Sequence, residues 1–528
     1  THARTQKTRF DTEACSVVTM VVDLVGAIDQ GTQSTRFILY DSECRAVAKH
    51  QTDVQTHCPH PGWAEQDPRE LYASVLACIE GAVAAAKEAL GGQEEVRVRG
   101  IGITNQRETT VAWDRNTGEP LHNALVWHDL RTADIVKRFI ESNGGNRDAF
   151  RGSTGLPLST YFSAVKMRWL IEEVPAVAKA VEEKRCCFGT VDSWLLYNLT
   201  GGAAGGGVHV SDMTNASRYL LMNLETLAWD EQVATAFGVD VATLPKIVSN
   251  AELYGHVAEG CLQGTPICGC IGDQQAATLG QRCKPGEAKN TYGTGLFLLM
   301  NTGASIVQSK HGLLTTACFQ LGPDAKPQYA LEGAVGTGGV SVSWLRDGLG
   351  LIASPEETEQ LAATVEDTGG VYFVPAFSGL LAPYWREDAR GLMIGLTQYT
   401  TRAHIARATL EALAFQSRGV LDAMAEDFGE KLTALRVDGG ASANDFMLQF
   451  QSDILNIPIT RPANVESTST GAALAAGVHL GLFDKAAIFS ADFKQEETVF
   501  EPSMADDVRR AKYDKWLDAI TRSFAWAD

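Results

Sequence analysis

The sequence predicts an α/β protein of two related domains facing each other across a cleft. Three observations carry that expectation. Val21 to Ala27 is an apolar run that leads into the turn Asp29-Gln30-Gly31-Thr32, with Phe37 to Tyr40 as a second strand. Far along the chain, Lys289-Asn-Thr-Tyr-Gly293-Thr294-Gly295 again sets a Gly/Thr turn between two strand-like runs. A chain of 528 residues also exceeds the size at which one hydrophobic core keeps growing.

The elements follow in order. Residues 1–19 read as an N-terminal extension, disordered or a tag, with Met20 as the natural start. They lack the apolar core of a secretory signal, and Asp11 and Glu13 argue against a mitochondrial presequence. A first domain is expected over 20–280. It holds a helix at Glu70–Leu90, strands at Val96–Thr104 and Thr110–Asp114, and a helix at Ala164–Glu173 with Val165, Trp169 and Leu170 on one face. The Gly-rich run Thr200–Gly207 reads as a flexible surface loop. A second domain is expected over 281–528. Gly312–Tyr329 reads as strand and turn, Thr401–Phe428 as a long helix, and Leu435–Val437 as a strand ending at Asp438-Gly439-Gly440. Asn444–Asn456 is the next helix, and Thr470–Leu480 is small and Ala-rich, suited to close packing.

Composition narrows the function. A net charge of −19 argues against nucleic acid or an anionic membrane as partner. No apolar run is long enough for a transmembrane helix. Eleven scattered cysteines, with Cys186-Cys187 adjacent and Cys268-x-Cys270 too tight for a zinc site, read as reduced thiols. No P-loop, dinucleotide fingerprint or nucleophile elbow occurs.

Two Gly/Thr hairpins and an isolated carboxylate suit phosphoryl transfer from a nucleotide to an alcohol. Asp29 can anchor Mg²⁺ through water, Gly31 lets backbone approach phosphate, Thr32, Gln33 and Ser34 add donors, and Arg36 counters phosphate charge. Asp273, at the end of the apolar run Ile267–Ile271, suits a general base and equally a helix N-cap. Arg107-Glu108 can pair with polyol hydroxyls, although taken alone it reads as a surface ion pair. Asp438-Gly439-Gly440 and Asn444 suit an adenosine contact.

These residues together resemble the FGGY family of carbohydrate kinases, from about Val22 to beyond Gly477. The similarity rests on Asp29–Arg36, Asn105–Thr109, Tyr161–Trp169, Gly272–Ala276, Asn290–Gly295, Phe377–Trp385 and the run from Gly391 to Glu411. It implies two actin-like (ribonuclease H-like) domains and ATP-dependent phosphorylation of glycerol with Mg²⁺. Asp273 is then the base, and Asp29 holds the metal. Arg107, Glu108, Tyr161, Asp273 and Gln274 are implied to hold glycerol against walls from Trp127 and Phe297. Thr32, Gln33, Ser34, Arg36, Thr294, Gly339, Gly440 and Asn444 are implied to contact ATP. Gln33 stands where relatives often carry Thr, Ser343 where bacterial relatives often carry Gln, and Glu259–Gln263 lacks the basic residues of a fructose bisphosphate loop. A kinase for another polyol or ketose and a non-catalytic ATP-binding protein are the rival readings. The expected setting is a homodimer or higher homo-oligomer, cytoplasmic or mitochondrially associated.

Overall fold

Strand β1 (Val21–Gln30) is buried on both faces from Leu24 onward, which its unbroken apolar run anticipates for a central strand. It pairs antiparallel with β2 (Ser34–Tyr40), which pairs antiparallel with β3 (Ala46–Asp53). On its other side it runs parallel to β4 (Glu95–Asn105). With the short β5 (Gly255–His256) and β6 (Pro266–Gly272), these strands form a six-stranded sheet in the order β5-β6-β4-β1-β2-β3. Helix α1 (Pro68–Ala89), capped by the Asp67 carboxylate, covers β2 and β3. The computed structural model describes residues 21–91, 95–490, 493 and 496–527, so the expected extension at 1–19 lies outside the described residues.

The pattern repeats. Strands β7 (Ala288–Tyr292), β8 (Leu296–Gly303), β9 (Leu314–Phe319), β10 (Gln328–Val335), β11 (Leu435–Asp438), β12 (Ile459–Pro462) and β13 (Glu497–Phe500) form a seven-stranded sheet in the order β9-β10-β8-β7-β11-β12-β13. Here β7 pairs antiparallel with β8 and parallel with β11, as β1 does with β2 and β4. Each half thus opens on the same hairpin at the centre of its sheet.

A set of helices flanks these sheets. Helix α2 (Ser163–Glu173) packs in a side cluster of the first half, and α3 (Asp273–Gly280) leaves the end of β6. In the second half, α4 (Gly339–Asp347) follows β10, α5 (Arg402–Phe428) spans the expected long helix, and α6 (Asp445–Leu455) is capped by Asn444. Helix α7 (Ser467–His479) packs against α3 and on β1, β4 and β6 of the first sheet, although it lies late in the chain. Only small residues permit that crossing. A Cβ on Gly102 would meet the Ala472 carbonyl at 2.1 Å, and one on Gly471 would meet the Ala276 carbonyl at 1.9 Å. Helix α3 in turn touches β7, β8 and β9 of the second sheet.

Three local expectations change. Asp29 and Gln30 remain in strand register opposite Arg36 and Thr35, so the first turn is shorter than expected. Thr200–Gly207 is not an open loop: Gly202–Gly205 closes a helical turn, and a Cβ on Gly207 would meet the Tyr197 carbonyl at 2.3 Å. Asp273 is the first residue of α3 rather than its cap, which is Gly272. Among the described residues, no helix is long and apolar enough to cross a membrane.

Candidate active site

The parallel strands β1, β4 and β6 end side by side, with Gln30 opposite Asn105 and Asn105 opposite Gly272. The chain leaves each of these ends carrying a predicted site residue, and α/β folds place ligands at such carboxyl ends. Asp29 sits one residue before the end of β1, Arg107 and Glu108 follow β4, and Asp273 follows β6.

Arg107 and Glu108 are buried, so the surface ion pair is overturned. They do not pair with each other. Arg107 grips Glu332 on β10 through two bonds, Nη1 to Oε2 at 2.7 Å and Nη2 to Oε1 at 2.9 Å. Glu108, held in a left-handed conformation at φ 57°, accepts from Arg218 Nε at 2.5 Å. Arg218 also reaches Glu332 at 3.2 Å, closing a buried network of two cations and two carboxylates. Burial opposes ionisation of Glu332, but Arg107 and Arg218 outweigh it and hold the carboxyl at about 2. Burial raises Glu108 against the opposing pull of Arg218 and Arg107.

A guanidinium has five N–H donors in a fixed fork. In Arg107, Nη1 and Nη2 bond Glu332, Nη1 also reaches Gln275 Oε1 at 3.3 Å, and Nε lies 3.1 Å from Asp273 Oδ1. One Nη2 proton has no acceptor among the described residues. Asp273 accepts from the Gln274 backbone N–H at 2.6 Å, and its side chain is 30% exposed. Burial raises its pKa, partly offset by Arg107 and Lys289.

Three aromatic residues of the expected site lie together. Trp127 meets Tyr161 edge-on with ring centroids 5.6 Å apart, and Phe297 at 6.2 Å. Trp127 Nε1 donates to Thr32 Oγ1 at 2.9 Å, which ties this wall to the first hairpin. Gln274 accepts from the buried Lys289 ammonium.

Asp29 is buried and meets only Arg36, Nη1 to Oδ2 at 3.4 Å, among the described residues. Burial pushes its carboxyl up to about 6; Arg36 opposes this, while Glu466 and Asp273 add to it. Gln33 is exposed, and Ser34 is buried in β2. The second hairpin and the start of α4 form one loop cluster: Gly338 N–H donates to the Thr294 carbonyl at 2.9 Å and Gly339 N–H to that of Gly293 at 2.8 Å. A Cβ on Gly339 would meet the Gly293 carbonyl at 2.8 Å, so the backbones approach as only glycine allows. Gly439 packs on Tyr292, leaving Gly440 in open space, and Asn444 Oδ1 caps α6 by accepting from Met447 N–H at 2.8 Å.

The chain matches the FGGY family of carbohydrate kinases, N-terminal domain, over residues 24–280 and its C-terminal domain over residues 288–480. The chain belongs to the FGGY family of carbohydrate kinases. It is 50% identical over 514 residues to a glycerol kinase of Arabidopsis thaliana, covering 96% of this chain and 98% of that one. It is 52% identical over 505 residues to a glycerol kinase of Acidiphilium cryptum, covering 96% and 99%. The crystal structure of Plasmodium falciparum glycerol kinase with ADP superposes with a TM-score of 0.89 at 41% identity, covering 95% of this chain and 98% of that one. The architecture is therefore the two-domain FGGY kinase fold of actin-like type.

Sequence reasoning missed Glu332, Arg218, Lys166 and Lys289. A lone carboxylate in the apolar strand Gln328–Val335 was a usable signal, because a buried charge needs a partner. Lys166 and Lys289 lay inside the motifs already singled out. Nothing local distinguished Arg218.

Proposed function

We propose that the chain transfers the γ-phosphoryl group of ATP to the 3-hydroxyl of glycerol, forming sn-glycerol 3-phosphate and ADP. The observation that carries the reading is Asp273, a partly exposed carboxylate at the end of β6 set against Arg107 Nε at 3.1 Å. Near-full-length similarity to glycerol kinases supports the same choice of acceptor. Arg107, Glu108, Tyr161 and Gln274 take the polyol hydroxyls, while Trp127 and Phe297 cover its carbons. The uncommitted Arg107 proton is suited to one hydroxyl oxygen.

In the transfer, the glycerol oxygen bonds to the γ-phosphorus as the bond to the β,γ-bridging oxygen breaks, and Asp273 accepts the hydroxyl proton. A raised pKa suits that role, because it makes the carboxylate a stronger base. Thr32, Gln33, Ser34 and Arg36 on the first hairpin and Thr294 and Gly339 on the second are read as phosphate contacts, with Gly440 and Asn444 at the adenosine.

Asp29 fits a hydrated Mg²⁺. Its buried carboxylate has one long contact, and Glu466 and Asp273 add negative charge that a cation would relieve. Bound there, the ion supplies neutralisation of the β- and γ-phosphates. We also read the chain as two domains, 20–280 and 281–528, forming a homodimer or higher oligomer in the cytoplasm.

An ADP-release assay across glycerol, dihydroxyacetone, erythritol and xylulose tests the reading. Glycerol is expected to give the highest kcat/KM. A clear preference for xylulose, or no acceptor-dependent ADP, contradicts it.

A further inference from the structure

Two lysines are fully buried beside the pocket, and neither has a proton left for a substrate. Lys166, in α2, donates from Nζ to the carbonyl oxygens of Trp127 at 3.4 Å, Thr160 at 3.0 Å and Tyr161 at 2.5 Å. Lys289, in β7, donates to Gln274 Oε1, to Thr291 Oγ1 at 2.9 Å and to the Phe297 carbonyl at 3.2 Å. An ammonium carries three donors, so each is fully engaged. Four of the six acceptors belong to the residues read above as the pocket: Trp127 and Tyr161 through Lys166, Gln274 and Phe297 through Lys289.

We infer that Lys166 and Lys289 are positioning residues that fix the width of the polyol pocket, and thereby select a three-carbon acceptor. The inference rests on the glycerol reading of the site. Its physical basis is the cost of burial. An ammonium removed from water is expensive unless all its protons are bonded, so an aliphatic side chain would serve better if filling space were the task. What an ammonium adds is one small group whose three donors hold several acceptors at once. Trp127 and Tyr161 come from separate segments, and Lys166 sets the spacing of their backbones beneath rings 5.6 Å apart. Lys289 does the same for Gln274 on α3 and Phe297 on β8, which belong to different halves.

The charges around each lysine bear on how the clamp responds to pH. Lys166 is faced by Glu108, Asp129 and His128, and Lys289 by Asp438, Asp273, Arg107, Glu332, Cys283 and Cys318. Burial lowers Lys166 to about 7 against the pull of Glu108 and Asp129. Burial lowers Lys289 to about 8 against the pull of Asp438 and Asp273. Loss of either proton removes one donor and lets the wall relax.

The experiment uses the full chain with Lys166→Met and Lys289→Met. Folding is checked by circular dichroism, glycerol affinity by calorimetry, and steady-state kinetics run on glycerol and erythritol from pH 6 to 9. Each variant is expected to bind glycerol about 10- to 100-fold more weakly, as a loosened site does, with kcat at saturation changing less. Discrimination against erythritol should fall as well. In the wild type, the KM for glycerol should rise between pH 6 and 9 while that for ATP does not, and each Met variant should lose part of that rise. Folded variants with wild-type affinity and discrimination overturn the inference while leaving glycerol turnover, and so the functional reading, intact. A wild type inactive on glycerol instead overturns the functional reading. If a Met variant does not fold, the wild-type profile decides: a glycerol KM flat from pH 6 to 9 overturns the inference.

Discussion

Replacing Glu332 by Gln should destabilise the protein and loosen the polyol site together. The side chain keeps its shape, but Arg107 and Arg218 then face one full carboxylate, Glu108, and the partly open Asp273. The magnitude follows from the structure by two routes. Glu332 is held at about 2 against an ordinary 4.5. Each pKa unit is worth about 1.4 kcal/mol, so its ionised form contributes about 3 kcal/mol at neutral pH. Removing one partner of a buried ion pair costs about 3–5 kcal/mol in general. For a cooperative unit of about 250 residues, that corresponds to a fall in Tm of roughly 6–12 °C. The pH dependence has a definite sign. A lowered pKa stabilises above the unfolded value and loses its effect as pH falls from 4.5 toward 2, so the gap between wild type and variant should narrow there. Calorimetric melts at pH 7 and pH 4, with glycerol KM at pH 7, check both parts. A Tm within about 1 °C of wild type and an unchanged KM would refute the reasoning, because the network would then carry neither stability nor alignment.

Two further outcomes are expected. Asp29, pushed up to about 6, must lose its proton to hold a cation, so Mg²⁺ affinity should fall as pH drops below 6. Asp29→Asn should remove that pH dependence and raise the Mg²⁺ requirement, as metal titrations of activity at several pH values will show. Asp192 lies beside Asp212 and beside Cys270 of β6, and burial together with Asp212 raises it to about 7. Its stabilising effect is complete below pH 3.8 and lost as pH rises through about 7. Asp192→Asn should therefore melt higher than wild type at pH 8, with a smaller difference at pH 5.

What was legible in the sequence was what depends on neighbours in the chain. Both Gly/Thr hairpins stand where the apolar runs and glycines set them, and the long helix at 402–428 stands where the sequence sets one. The Arg107-Glu108 pair failed as a local reading because its partners lie far away, Glu332 at 225 residues' separation and Arg218 at 110. No pattern within a few residues can reveal that a charge is buried against a distant strand. The Ala-rich run that became α7 announced close packing through its composition, yet not that it would pack on the first sheet. Asp273 could be read as cap or base with equal ease, and the structure leaves the cap to Gly272. Trp127, Tyr161 and Phe297 came from family resemblance alone, since nothing in their spacing announces that three rings meet.

The central claim is that Asp273 takes the proton of the attacking hydroxyl, and single-turnover transfer from ATP to glycerol by wild type and Asp273→Asn tests it most directly. The variant keeps size and some hydrogen bonding but loses basicity. The account predicts a rate on the order of 10²–10⁴-fold lower with glycerol affinity falling far less. Transfer at the wild-type rate by Asp273→Asn would contradict the claim.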